Sequence, residues 1–112
     1  MSVIAANILV DQLLGPDVQA FCQRHGIVRF VGEAVRLADG LFSPIQGPAV
    51  VLDVDGETGE ERVVIEVVVD TTPDETGRRY DDYLLQWIAV APPEARYWVS
   101  LSLNVRGGHE PA

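Results

Sequence analysis

The chain contains no lysine, one cysteine and two histidines among its 112 residues. A lone cysteine, Cys22, excludes an internal disulfide and any zinc site built from several thiolates. Its helical spacing from Val18, next to Phe21, reads as a small buried apolar residue. His25 and His109 are the chain's only imidazoles, the side-chain type that most often serves as acid or base near neutral pH. His25 falls beside Gly26 in the last turn of an expected helix, where an imidazolium favours the helix dipole. His109 lies in the terminal GGHEPA. Also absent are G-x-S-x-G, the P-loop, G-x-G-x-x-G and H-E-x-x-H. Ser100 and Ser102 sit on an expected strand with no base nearby in sequence. The inventory leans away from an enzyme, and no cofactor is expected. Long apolar runs are missing too: MSVIAANILV lacks a basic leader and is broken at Asn7 and Asp11. Neither a signal peptide nor a membrane span is expected, and a cytoplasmic location follows by default.

All eight bases are therefore arginine, set against 17 acids for a net charge of −9. An all-arginine set suits bidentate anion contacts, but a GC-rich coding bias accounts for it more simply. The charge is concentrated: residues 53–82 carry 11 of the acids and three of the arginines. Such a patch repels phosphate, which argues against nucleic acid and against an anionic membrane as direct ligands. An apolar content of 47% with 22% charged residues places the chain among globular proteins. Its length fits one domain, 1–112, with 1–6 and 107–112 frayed.

Pro16 opens an expected helix that carries Val18, Phe21 and Cys22 on one side and stops at Gly26. Ile27, Phe30, Val31, Ala34, Ala38 and Leu41 give a second helix, and Asn7–Leu14 a short one before both. The second helix alternates Arg29, Glu33, Arg36 and Asp39. It is too nearly neutral for a DNA-recognition helix, and Gly32 within it suits close packing. SPIQGP, residues 43–48, reads as a loop. From Ala49 the period becomes two: a strand to Asp55, the turn DGETGE, and a return strand with Val63, Ile65, Val67 and Val69 on one face. Val64 and Val68 on its other face mark it as central. Thr72-Pro73-Asp74-Glu75 is a capping box opening a helix whose Tyr80, Tyr83, Leu84, Trp87, Ile88 and Ala91 form the apolar side. Pro92-Pro93 ends it, and residues 97–105 alternate as a last strand. The expected fold is α+β: two or three N-terminal helices, then hairpin, helix and strand. These give a three-stranded sheet against helix 73–91, with the N-terminal helices in that layer or on the other face.

LADGLFSP, DVDGETGEE and YDDYLLQWIAVAPPEAR, ahead of an alternating strand, together resemble a group of small acidic bacterial proteins of uncharacterised role. The likeness spans roughly residues 10–105. The turn in that group often reads D-P-E-T-G-E, so Gly56 in place of the proline implies a looser turn. The resemblance implies a recurrent small fold and carries over no catalytic residue.

Three functions fit these features. In the leading one, Asp53, Asp55, Glu57, Glu60 and Glu61 on the hairpin, with Asp74, Asp81 and Asp82, bind a basic protein partner; an antitoxin-like role is one version. In the second, Asp53, Asp55 and Glu61 hold magnesium or manganese for hydrolysis. A calcium loop is excluded, because position 6 from Asp53 is Thr58 rather than glycine and position 12 is Val64 rather than an acid. In the third, Val64, Val68 and Trp98 form an apolar strip that a second copy covers as a homodimer.

Overall fold

The computed structural model describes residues 13–106; both expected frayed ends, and all but the end of the expected Asn7–Leu14 helix, lie outside them. Helix α1 is Pro16–His25, with Pro16 and Asp17 in its first turn and Arg24 and His25 in its last, each suiting the local end of the dipole. Gly26 turns left-handed at φ 67° and donates its N–H to the Gln23 carbonyl, closing the helix. Helix α2 is Val28–Phe42. Ile27, expected inside it, caps it instead and stays buried. Val31, Ala34, Val35, Ala38 and Phe42 form its buried stripe, with Gly32 beside them.

Strands β1, Gln46–Val54, and β2, Glu61–Val69, pair antiparallel. The strand therefore starts three residues before Ala49, inside the stretch expected to be a loop. A bulge between Gln46 and Ala49 lets it carry Gly47 and Pro48 there. Helix α3 is Pro73–Val90. Thr72 Oγ1 accepts the Glu75 N–H at 3.1 Å, as the capping box requires. The reciprocal half is not made: the Glu75 carboxylate turns to Arg78 and Arg79.

The double proline does more than stop α3. Pro93 starts a further short helix, α4, Pro93–Trp98, and β3 is Val99–Val105. Tyr97 and Trp98 are therefore helical rather than the first residues of the last strand. Pro93 at N1 and Glu94 in the first turn favour that turn of helix. Arg96 reaches back from α4 to donate to the Ile88 and Ala91 carbonyls at 3.3 and 3.1 Å, satisfying the end of α3.

The sheet order is β1-β2-β3, with β2 and β3 parallel and α3 as the crossover. Val63, Ile65, Val67 and Val69 on β2 are wholly buried, together with Val50 and Val99 on the neighbouring strands. They share one core with α1, α2 and α3. All three helices thus lie on the same face of the sheet. On the opposite face, no described strand residue is buried: Val51, Glu66, Ser100, Ser102 and Asn104 are exposed, and Val64 and Val68 half-buried. Among the described residues no helix is long and apolar enough to cross a membrane.

Cys22 lies in the core with no exposure, and burial pushes its thiol from the ordinary 9.0 up to about 11. A pKa raised on folding contributes stability that is complete below the unfolded value and is lost as pH rises through the folded one. Stability should fall by about 1 kcal/mol between pH 9 and 10 through this group. Tyr83, also raised by burial, adds the same sign at higher pH. Urea unfolding of wild type and Cys22→Ala at both pH values measures the effect: the variant should lose most of the slope.

Candidate functional site

The hairpin tip is built from its own side chains. Asp55 Oδ1 accepts the Glu57 and Thr58 N–H groups at 2.7 and 3.0 Å, and Thr58 Oγ1 accepts the Glu60 N–H at 3.1 Å. The Asp55 N–H reaches the Glu60 carbonyl, and Gly59, at φ 74°, returns its N–H to the Asp55 carbonyl. The Asp55 side chain and backbone thus tie both ends of the turn together. The same backbone N–H groups hold the Asp55 carboxyl below the usual range, Thr58 first and Glu57 next.

Two of the five hairpin acids are already partnered. Glu60 meets Arg62 at 3.6 Å and accepts a hydrogen bond from the Tyr97 hydroxyl. Arg62 also lies 5.0 Å from the centre of the Tyr97 ring. Glu61 meets Arg24 of α1 at 3.5 Å. These pairs are exposed and worth little in stability, but they draw α1, α4 and the hairpin together. Behind them Trp98 packs edge-on to Phe21, with ring centres 5.4 Å apart, and 4.3 Å from His25. Asp53, Asp55 and Glu57 are exposed and have no arginine within 4.0 Å among the described residues.

The other predicted site residues lie elsewhere. Asp74 begins α3, just past the far end of β2, about 27 Å from the hairpin tip at the rise of a strand. Asp81 and Asp82 are exposed in the middle of α3. The acidic window of the sequence is thus two or more separate surfaces.

The metal alternative loses its geometry. Asp53 pairs across the sheet with Arg62, and Glu61 with Val54, so the two acids leave opposite faces of the hairpin. Asp55 is folded onto its own backbone. Among the described residues no group of three His, Cys, Asp or Glu side chains could hold an ion. The expected apolar strip is likewise divided. Val64 and Val68 lie on the open sheet face, whereas Trp98 belongs to α4 and packs on α1.

A second feature lies at the β3 edge of the sheet, on the helix-covered face. α3 overhangs β3, and between them runs a groove of about 340 Å³ lined by Tyr80, Leu84, Trp87, Ile88, Val99 and Leu101, with Arg96 at its wall. Tyr80 and Ile88, expected in the core, are 37% and 54% exposed because the sheet ends beneath them. Neither the groove nor the Arg62–Tyr97 contact stands out in the sequence. The i, i+4, i+8 spacing of Tyr80, Leu84 and Ile88 matches a buried stripe, and only the strand order reveals which part has no neighbour.

No protein-family model, curated protein or solved structure matches the chain.

Proposed function

We propose that this protein acts by contact with another protein, through the acidic hairpin end and a basic partner surface. One observation carries the reading: a turn held by its own hydrogen bonds presents Asp53, Asp55 and Glu57 without an ion pair to any described arginine, although Arg62 is the cross-strand neighbour of Asp53. A preordered tip loses little conformational freedom on binding, so its charge is available for affinity and for steering a cationic partner. Asp74, Asp81 and Asp82 contribute to the long-range field rather than to the same contact.

The test separates local contact from net charge. An arginine-rich peptide serves as probe, read by fluorescence anisotropy, against two doubly substituted variants of equal charge change. Asp53→Asn with Glu57→Gln should weaken binding about tenfold, at roughly 0.7 kcal/mol for each charge. Asp81→Asn with Asp82→Asn should weaken it less than about twofold. Equal losses in both would reduce the hairpin to a share of the overall charge and overturn the reading. So would affinity unchanged in 1 M salt, where the screening length is about 3 Å.

A further inference from the structure

The two outer edges of the sheet are treated differently. β1 carries Pro48 and a bulge between Gln46 and Ala49, with Asp53 near its end. These features discourage another strand from pairing there. β3, VSLSLNV, has no proline, no charge and an unbroken register with β2 over all seven residues. In a chain of net charge −9, this is, among the described residues, the strand edge that carries no acid of its own.

Its hydrogen-bonding groups are arranged for such a meeting. Arg106 donates its N–H to Val69 at 2.9 Å, so by alternation the even-numbered residues of β3 turn their backbone groups to β2. The odd-numbered residues Val99, Leu101, Leu103 and Val105 turn theirs outward. Their side chains lie on the core face, where Leu101, Leu103 and Val105 are only half-buried although their β2 partners Ile65, Val67 and Val69 are wholly buried. Above them Leu84 is half-buried and Ile88 exposed along the groove. The core runs out at this edge with apolar surface in both layers.

We propose that a second copy of the chain occupies this edge, pairing β3 antiparallel to β3 about a twofold axis at Ser102 and continuing the sheet to six strands. That register sets Leu101 opposite Leu103 and Val99 opposite Val105 as hydrogen-bonded pairs. Ser102 faces Ser102, and Ser100 faces Asn104, as the intervening non-hydrogen-bonded pairs. It uses every outward N–H and C=O of the strand and brings the Leu84–Ile88 flanks of two α3 helices towards each other. The open side measures about 23 Å along the strand by about 20 Å across the two layers, some 450 Å² on each copy. With side-chain relief the total reaches about 1,000 Å², the lower bound for a specific interface. A dissociation constant in the micromolar range fits that area.

Sedimentation equilibrium over about 5–500 µM should show a monomer–dimer equilibrium that tightens with added salt, because two chains of the same sign repel. This is the opposite salt response to that of the hairpin contact. Ser102 is exposed and has Glu66 as its β2 neighbour. Within the monomer, Ser102→Arg therefore gains a partner and Ser102→Glu adds one exposed like-charge contact. Each places like-charged side chains on Cα atoms about 4.5 Å apart across the axis. Each variant alone should dimerise at least tenfold more weakly than wild type, and their equimolar mixture should recover wild-type affinity within about threefold. A wild type monomeric throughout the range would overturn the proposal. So would a dimer indifferent to both charges, or a mixture that fails to recover, which would leave the edge to an extended segment of another protein. Amide exchange gives a readout without substitution: Leu101 and Leu103 should gain protection as wild-type concentration rises, and unchanged exchange would count against the pairing.

Discussion

Phe42→Ala is expected to destabilise the fold by about 3–5 kcal/mol, the range for emptying a fully buried aromatic site. Phe42 ends α2 and is 1% exposed, with its ring 6.2 Å from that of Tyr83 on α3. Its carbonyl also accepts from Arg79 Nη1 at 3.3 Å, so the same residue ties the two helices by backbone and by side chain. The cavity would open within the same buried cluster that holds Ile65 and Val67 of the sheet, where close packing limits collapse. Since domains of this size hold only about 5–15 kcal/mol in total, the variant should stand near its unfolding threshold. Urea denaturation followed by far-ultraviolet circular dichroism measures the shift in midpoint. Leu41→Ala, one residue away but half-buried, should cost markedly less, and a Phe42→Ala loss under about 1 kcal/mol would show that the α2–α3 contact is not the keystone of the core.

Gly47→Ala is expected to cost about 2–4 kcal/mol, from two separate causes. Gly47 sits at φ 87°, where an L side chain is strained, and a Cβ there would meet the Glu66 carbonyl oxygen at 2.7 Å. That neighbour is backbone in the central strand, so it cannot swing away as a flexible side chain would. Relief must come from shifting β1 outward at its bulge, which loosens the Gln46–Val68 and Ala49–Glu66 pairings. The same urea experiment measures the loss. Amide exchange locates it: Ile45, whose N–H donates to Val68 at 2.8 Å, should lose protection before residues 50–54 do. Uniform loss along the strand would contradict a local origin. By contrast, nothing lies within 4 Å of a Cβ built at Gly56, so alanine there is expected to be nearly neutral.

Local chemistry was legible in the chain wherever one residue type had one physical use. Gly26 as a left-handed helix stop, Thr72 as a cap, and the alternation of Val63, Ile65, Val67 and Val69 could be read directly. Tyr97 and Trp98 were not, because two aromatics before an alternating run satisfy strand periodicity as well as helical periodicity. The proline pair decides between them, but in sequence it marks the stop of one helix as readily as the start of the next. Tyr80 and Ile88 match a core stripe yet are exposed, because spacing reports which side of a helix is apolar, not how far the sheet beneath it extends. For the acidic window, nearness in sequence suggested one surface, but nine residues of extended chain carry Asp74 to the far end of β2. The hairpin chemistry was half legible: the acids were evident, while the partners of Glu60 and Glu61 come from α4, β2 and α1, and only the fold brings them together.

The parallel pairing of β2 with β3 also dictates an order of events during synthesis. β1 and β2 are neighbours in the chain and can close as soon as both have emerged, whereas the other side of β2 waits for residues 99–105. Until that C-terminal segment leaves the ribosome, the most apolar strand of the protein offers a bare ladder to any passing chain. The interval lasts while the residues of α3 and α4 are added, since only these elements intervene.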